Sequence, residues 1–178
     1  MLNEPSNRML TLSRHLLAIL LMPFIVVVVI PNWLSKTVAH GDTYLDMGLL
    51  SIWLPKVLGM IFILTGLILF IWCVGLFARL GRGTLAPWDP TQTLVAVGPY
   101  RHVRNPMISG VALMLVGQAV FRGSWVLGLW SCFFILVNHI YFVLSEEPGL
   151  ERRFGEQYRL YKQNVPRWIP HIKPWQGS

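Results

Sequence analysis

Four long apolar runs, separated by polar or proline-rich segments, constrain the fold of this chain more than any other feature. They cover residues 16–34, 52–78, 107–121 and 124–144. A helix needs about 20 apolar residues to cross a bilayer, and the second and fourth runs reach that length easily. The first run contains Pro23, which membrane helices tolerate as a kink. The third is short and Arg122-Gly123-Ser124 follows it, so we expect runs three and four to form a tight helical hairpin that turns at Gly123.

The composition agrees with an integral membrane protein. Of the 178 residues, 54% are hydrophobic and only 13% are charged, whereas soluble domains are nearer one quarter charged. A soluble core of this size has no room for so much apolar surface. The sequence therefore predicts an all-α integral membrane protein with four transmembrane helices, formed by a single domain over residues 1–178.

Positive charges cluster at the ends of the apolar runs and predict the orientation. The net charge is +7, and its distribution fits lipid headgroup contact and topology, with no nucleic-acid partner expected. Arg8 and Arg14 precede the first run, four arginines lie between runs two and three, and six basic residues follow run four. The other side has only Lys36, Lys56 and Arg122. The positive-inside rule then places both termini and the middle loop in the cytoplasm.

A cleaved signal peptide is the alternative explanation of the first run, because Arg8 and Arg14 give it a basic flank. The apolar stretch is long, however, and no convincing small-x-small cleavage site follows it. We therefore expect the first run to remain as a membrane helix.

The cysteines and histidines do not suggest a metal site. Cys73 and Cys132 both lie inside apolar runs, where we expect them to be small buried side chains. His139 has no second histidine or cysteine three or four residues away, so its commoner role is that of a hydrogen-bond donor between helices. Phosphate-loop and nucleophile-elbow motifs are also missing from the sequence.

The first of two polar segments, Gly98 to Pro106, precedes the third run. Pro99 and Pro106 fix the backbone at two points and hold the residues between them stiff. One explanation is a basic loop that contacts lipid phosphates. The other is an anion site, in which the free backbone N–H groups at the start of the next helix bind a negatively charged group.

The second polar segment begins with Glu146 and Glu147 at the end of the fourth run. Acidic side chains at a helix C-terminus are disfavoured by the helix dipole. An ion-pair network with Arg152 and Arg153, or a cationic ligand, would offset that cost. Asn138 and Phe142 are predicted to share a face with Glu146, and polar groups within a span usually face a cavity or a partner helix.

The region from 149 to 165 repeats apolar residues at helical spacing. The repeated positions are Leu150, Phe154, Tyr158 and Tyr161. They predict one apolar stripe on a short cytoplasmic helix that Pro166 ends. The stripe either lies on the membrane interface or packs under the middle loop, and we favour packing under the loop.

These segments resemble the isoprenylcysteine carboxyl methyltransferase and phospholipid methyltransferase superfamily. The first match comprises Thr93-Leu94-Val95, Gly98-x-Tyr100, Arg104-Asn105-Pro106 and Gly110. The second comprises Glu146-Glu147, Leu150, Phe154-Gly155, Tyr158, Tyr161 and Val165-Pro166. The resemblance covers roughly residues 85–170, and the first two runs match only in being hydrophobic.

The resemblance implies a membrane enzyme that uses S-adenosylmethionine, with a cytoplasmic cofactor region at 85–106 and 145–170 and a lipophilic acceptor entering from the bilayer. Carried over by position, the cofactor-binding residues would be Gln92, Thr93, Leu94, Val95, Tyr100, Arg104, Asn105, Pro106, Met107 and Ile108. Glu146 and Glu147 would be catalytic. Asn138, Phe142 and Glu146 would contact the acceptor.

Two departures from the family pattern bear on the acceptor. The isoprenylcysteine branch has histidine where this chain has Asn105, and arginine, which suits a substrate carboxylate, where this chain has Phe142. Carboxyl methylation of a prenylated protein is therefore disfavoured, and a lipid, a lipophilic thiol or a small amphipathic molecule is expected. Two alternatives remain: a sterol-reductase-like enzyme using NADPH, for which the chain is short, and a non-catalytic relative with a binding or assembly role.

Overall fold

The described part of the protein is built from helices. The computed structural model describes residues 21–38, 49–80, 94 and 96–177, with side chains described for 53–76 of the second range. It contains α1 (Leu21–Thr37), α2 (Leu49–Leu80), α3 (Pro106–Arg122), α4 (Trp125–Phe154) and α5 (Glu156–Asn164). A short 3-10 turn, Gly98–Arg101, precedes α3. The all-α prediction is confirmed for these residues.

Two helices, α2 and α4, are long and apolar enough to cross a membrane. Large apolar side chains on them are more than half exposed, among them Ile68, Ile71, Trp125 and Leu129, as expected for surfaces that face lipid. Helix α3 has 17 residues, so its length of roughly 26 Å is slightly less than the hydrocarbon core of about 30 Å. Four crossings remain a prediction, and the start of the first predicted span, 16–20, lies outside the described residues.

The predicted hairpin between α3 and α4 is confirmed. Gly123 adopts a left-handed conformation with φ 62°, which glycine reaches without a Cβ clash. The N–H of Ser124 donates to the carbonyl of Ala119 at 3.0 Å and so closes the end of α3. The Ser124 hydroxyl then accepts from the N–H of Leu127 at 3.3 Å and caps the start of α4.

Four glycines let α2 and α3 approach backbone to backbone. A Cβ added to Gly66 would lie 2.5 Å from the carbonyl oxygen of Gly110, and one added to Gly59 would lie 2.7 Å from that of Gly117. The pairing is antiparallel, and each helix places its two glycines seven residues apart, or two turns, on the side that faces the other helix. Small residues are the usual solution for close helix contact in membranes.

One apolar core joins the first four helices. Its buried members are Phe70, Val111, Met114 and Leu115. The partly buried side chains that pack against it include Val26, Val27, Trp130 and Phe134. Cys73 is fully buried as predicted. Cys132 is exposed, so the prediction that it is buried was wrong. An apolar side chain on a membrane helix can face lipid as favourably as it faces protein.

Among the described residues, two π-helical turns interrupt helices α1 and α4. They cover Ile25–Val29 in α1 and Phe142–Glu146 in α4, and each ends two residues before a proline, Pro31 or Pro148. Proline has no N–H for the carbonyl four residues earlier, so the helix upstream must arrange its hydrogen bonds differently. We expected the irregularity of the first run at Pro23, whereas the structure has it immediately before Pro31.

The carbonyls freed in α1 are satisfied by side chains from the hairpin. The amide of Gln118 donates to the carbonyl of Val27 at 2.8 Å, and the indole of Trp130 donates to that of Val26 at 3.2 Å. Pro31 follows Val26 by five residues and Val27 by four, so it offers an N–H to neither carbonyl in the π or the α register. These bonds attach α1 to both α3 and α4.

The end of α4 differs from the prediction. We expected the fourth span to end near residue 144 and a separate helix to occupy 149–165. Instead α4 continues to Phe154 through the π turn, and the break comes at Gly155, which has φ 54°. Helix α5 follows and ends at Asn164, so the prediction that Pro166 terminates the helical region is confirmed.

Candidate functional site

The tail beyond α5 runs antiparallel to the segment that precedes α3. Three backbone hydrogen bonds of 2.9 Å connect them: Arg104 N–H to the Pro166 carbonyl, His171 N–H to the His102 carbonyl, and Trp175 N–H to the Arg101 carbonyl. The two polar segments that flank the hairpin in sequence are therefore adjacent in space.

A buried tyrosine cluster lies beneath this pairing. Tyr158, Tyr161 and Val165 form it, and Leu94, Ala96, Leu150 and Phe154 pack against them. The hydroxyl of Tyr161 donates to the carbonyl of Tyr100 at 2.6 Å. The prediction that the apolar stripe packs under the middle loop is thus confirmed, although Gly155 divides the stripe between two helices.

Glu147 is the electrostatic centre of the site. Its side chain is only 5% exposed, and Oε1 accepts from Arg104 Nη1 at 2.9 Å and from Arg167 Nε at 2.7 Å. Lys162 Nζ lies 3.3 Å from Oε2. A buried carboxylate needs such partners to remain charged. The three cations come from the loop before α3, from α5 and from the tail, so Glu147 ties these segments together.

Of the two alternatives for the glutamates, the ion-pair network with Arg152 and Arg153 was wrong, and the cationic ligand stays a prediction. Arg152 donates to the carbonyl of Pro148, and Arg153 lies over the ring of Phe154. Neither pairs with Glu147, because both are on the exposed part of α4. The expected cost from the helix dipole is also absent for Glu147, which opens the last α-helical segment of α4 instead of ending a helix.

Glu146 has different surroundings from its neighbour. It is half-buried, and its carboxylate makes no hydrogen bond or ion pair with any residue that the structure describes. The negative charge of Glu147 acts on Glu146, and Glu146 in turn lies close enough to Tyr100 and Tyr158 to influence them electrostatically. Glu146 therefore differs from Glu147 in having no positively charged partner among the described residues.

The tyrosines around the glutamates are neutral hydrogen-bonding groups. Burial, together with the negative charge of Glu147, raises the pKa of Tyr158 to about 12. Burial first, and then the neighbouring Cys73 and Tyr161, also raise the pKa of Tyr100. The side chain of Tyr100 lies close to the buried Cys73 thiol, which places the loop against α2.

Two polar side chains near the start of α3 lack an expected hydrogen bond within the described part of the chain. Arg104 Nε is buried and lacks a hydrogen-bond acceptor within the described ranges. The side chain of Asn105 makes no capping bond, although it stands at the N-cap position of α3. A buried guanidinium N–H without an acceptor is costly. An anionic ligand group at this point would satisfy it, with help from the N-terminal end of the helix.

The acceptor-binding residues predicted on α4 are not all free. The Asn138 amide donates to the carbonyl of Phe134 within its own helix. Phe142 is buried, with its ring 5.8 Å from that of Trp168. The π turn breaks the α-helical register between Phe142 and Glu146, so the shared face that we predicted for Asn138, Phe142 and Glu146 does not follow from ideal helix geometry.

His139 was predicted to be a hydrogen-bond donor between helices; the structure shows its Nδ1 as an acceptor, and donation from Nε2 stays a prediction. The indole N–H of Trp168 lies 3.1 Å from His139 Nδ1, and an indole nitrogen only donates, so Nδ1 is the acceptor. Arg167 Nη1 lies 3.4 Å from the same nitrogen. The tail therefore reaches into the hairpin at His139.

Most of the predicted cofactor-binding residues lie near Arg104. Leu94 packs on the tyrosine cluster, Tyr100 is buried, and Pro106, Met107 and Ile108 form the first turn of α3. Gln92, Thr93 and Val95 lie outside the described residues. Sequence reasoning missed Lys162, Arg167 and Trp168. Lys162 and Arg167 were interpreted only as charges that set the membrane orientation. The one signal for their pairing with Glu147 was that a buried carboxylate needs more than one positive partner.

The sequence profile of the phospholipid methyltransferase family matches residues 54–157 of this chain. The chain belongs to the phospholipid methyltransferase family. This confirms the resemblance seen in the two polar segments, because the family is part of the superfamily that they indicated. Lys162, Arg167 and the tail lie beyond the matched region.

One relative is an uncharacterized protein of Haemophilus influenzae. It is 36% identical over 63 residues, which are 35% of this chain and all of that protein. No solved structure matches the chain. The family is one of membrane methyltransferases, and the two long apolar helices agree with that class.

Proposed function

We propose that this protein transfers a methyl group from S-adenosylmethionine to a lipophilic or amphipathic acceptor at the cytoplasmic surface of the membrane. The observation that carries the proposal is the juxtaposition around Glu147. Arg104 bonds Glu147 and has a buried Nε with no acceptor among the described residues, and Glu146, the residue before Glu147, pairs with no described cation.

The residues near the start of α3 fit the amino-acid end of the cofactor. Arg104 is held by its Nη1 bond to Glu147, which fixes the guanidinium and leaves Nε for a ligand carboxylate. Asn105 and the first turn of α3 would add donors, and Tyr100, Met107 and Ile108 would line the site, with Gln92, Thr93, Leu94 and Val95 closing it. When bound, the cofactor supplies a methyl group already activated on a sulfonium.

The two glutamates have separate roles in this proposal. Three cations occupy the carboxylate of Glu147, so it positions Arg104 and Arg167. Glu146 has no such partner and would contact the acceptor, where it holds a cationic headgroup or takes a proton from an amine or thiol. The enzyme otherwise contributes orientation and exclusion of water.

The surroundings of Glu146 favour an amine or thiol acceptor over a carboxylate. A substrate carboxylate next to Glu146 would be repelled by that side chain, because the three nearby cations are already engaged by Glu147. Phe142 packs against Trp168 at the position where the isoprenylcysteine branch has arginine. An acceptor that enters from the bilayer along α4 would therefore first contact the apolar rings of Phe142 and Trp168. It would then reach the carboxylate of Glu146. The phospholipid branch is the nearest named option.

Substitution of Glu146 by glutamine tests the proposal. We expect purified wild-type protein in bilayers to move labelled methyl groups from S-adenosylmethionine into lipid-soluble product. Glu146→Gln should keep cofactor binding but lower the transfer rate by about a hundredfold or more, as for loss of a general base. Transfer that is unchanged in Glu146→Gln, or an absence of transfer to any lipid amine or lipophilic thiol, would count against it.

A further inference from the structure

The tail after α5 exposes apolar side chains to an unusual degree. Ile172 is 96% exposed and Ile169 is 79% exposed, the two highest values among the large hydrophobic residues that the structure describes. The next is Leu144, at 73%, near the end of the membrane-crossing part of α4. Large apolar side chains that are this exposed on a membrane protein indicate contact with an apolar environment outside the chain.

The depth of the tail follows from its contact with α4. The indole of Trp168 donates to His139, and its ring packs on Phe142. His139 lies seven residues before Glu146, which is about 10 Å along the helix towards the membrane. The headgroup layer on each side of a bilayer is only about 5–8 Å thick. With Glu146 at the aqueous boundary, Trp168 and the adjacent Ile169 reach the edge of the acyl chains.

The charge of this part of the chain suits an acidic lipid surface. Residues 157–178 contain Arg159, Lys162, Arg167 and Lys173 and no acidic residue. Arg159, Lys162 and Arg167 form ion pairs with glutamates of α4 and α5, whereas Lys173 is exposed beside Ile172 and makes no ion pair with a described residue. Clusters of basic residues near the membrane are drawn to anionic headgroups, and lysine can keep its ammonium at that level while neighbouring apolar groups insert.

The tail is also held in place, so the exposure of its isoleucines is a property of the fold. Backbone bonds to His102 and Arg101 anchor it on both sides of Ile172. The N–H of Arg104 bonds the carbonyl of Pro166 just before Ile169. The isoleucines cannot turn inwards without breaking this pairing.

We propose that residues 167–173 form an interfacial segment that folds back into the bilayer, inserts Ile169 and Ile172 at the boundary between headgroups and acyl chains, and places Lys173 among acidic headgroups. The occupant of this surface is the lipid of the leaflet in which α4 ends. The inference rests on the position of the tail and does not depend on methyl transfer.

Site-specific fluorescence tests this surface. Single cysteines at Ile169→Cys and Ile172→Cys, in a Cys132→Ser background that retains the fully buried Cys73, would carry an environment-sensitive label. The protein would be reconstituted in phosphatidylcholine and phosphatidylglycerol with bromine on the acyl chains near the headgroup. Glu156→Cys is the control, because its side chain is 71% exposed at the start of α5.

We expect the labels at 169 and 172 to be quenched by brominated lipid several times more than the label at 156, and to be shielded from iodide in the water. Equal quenching at all three positions would overturn the proposal. Shielding from iodide without quenching by bromine would overturn it too, since a second copy or another protein would then cover the tail. Both isoleucines are exposed, so their replacement removes little packing, and thermal unfolding of each variant checks the fold.

Discussion

At the scale of single residues, Glu146 and Glu147 are adjacent in sequence and have opposite electrostatic surroundings. Glu147 is buried and receives three cations, whereas Glu146 pairs with none of the described side chains. A helix turns about 100° per residue, so neighbours face different directions. This difference assigns the positioning role to Glu147 and the acceptor role to Glu146 in our proposal.

Replacement of Glu147 by glutamine should strongly destabilise the protein. Arg104 and Arg167 would keep their charge in a largely buried site without a carboxylate, and loss of one partner of a buried ion pair costs about 3–5 kcal/mol. The measurement is thermal unfolding in detergent. Glu151→Gln is the matched control, because it removes a carboxylate from the exposed pair with Arg159 and should cost less than about 1 kcal/mol. Similar losses in both variants would contradict the central position of Glu147.

Sequence reasoning at this scale found the glutamates and Arg104 but not all their partners. The motifs marked both polar segments, and the structure brings Arg104 and Glu147 to 2.9 Å. Lys162 and Arg167 come from α5 and the tail, and no local spacing connects them to Glu147. The acceptor role of His139 depends on Trp168, 29 positions further along the chain, so it could only be seen once the tail was placed.

At the scale of helices, the contact between α2 and α3 depends on glycine. Gly66→Ala would place a methyl group 2.5 Å from the backbone oxygen of Gly110, so the helices must separate. We expect destabilisation of about 1–3 kcal/mol, as for other overpacked sites. Gly75→Ala is the control, because nothing lies within 4 Å of its added Cβ, and it should be neutral or slightly stabilising. The change in unfolding temperature relative to the wild type should therefore be clearly negative for Gly66→Ala and close to zero or positive for Gly75→Ala.

The bond between Gln118 and the carbonyl of Val27 should depend on Pro31. Gln118→Leu leaves that carbonyl unpaired, at a cost of about 1 kcal/mol. In a Pro31→Ala background residue 31 regains its N–H, which can bond Val27, so the same Gln118→Leu change should cost less. A double-mutant cycle from thermal or denaturant unfolding measures this coupling. Strictly additive effects would show that Gln118 does not compensate for the proline.

The regular helices were predictable from sequence, and the irregular turns were not. The hairpin followed from two apolar runs around Gly123, and the end of α5 followed from Pro166. The π turns did not follow, because proline inside an apolar run is compatible with a kink, a break or a wide turn. The glycine contact had a signal, namely glycines seven residues apart in both α2 and α3, which the sequence reasoning did not use.

At the scale of the whole molecule, the two polar segments that flank the hairpin gather at one end of an apolar helical assembly. The loop before α3, the end of α4, α5 and the tail all meet around Glu147. The sequence predicted that the two polar segments would converge, since both flank the same hairpin, and the described part of the chain bears this out. Orientation, the number of crossings and the acceptor stay predictions, because Arg8, Arg14 and Arg82 lie outside the described residues.

The central claim is that the convergence around Arg104 forms a site for S-adenosylmethionine, and the most direct test is thermal stabilisation of the purified protein by ligands. A ligand at 100 times its dissociation constant stabilises the folded state by about 2.7 kcal/mol. We predict that S-adenosylhomocysteine raises the unfolding temperature of the wild type, and that Asn105→Ala reduces the shift without lowering the ligand-free unfolding temperature. Stabilisation by NADPH alone, or by neither ligand, would contradict the claim.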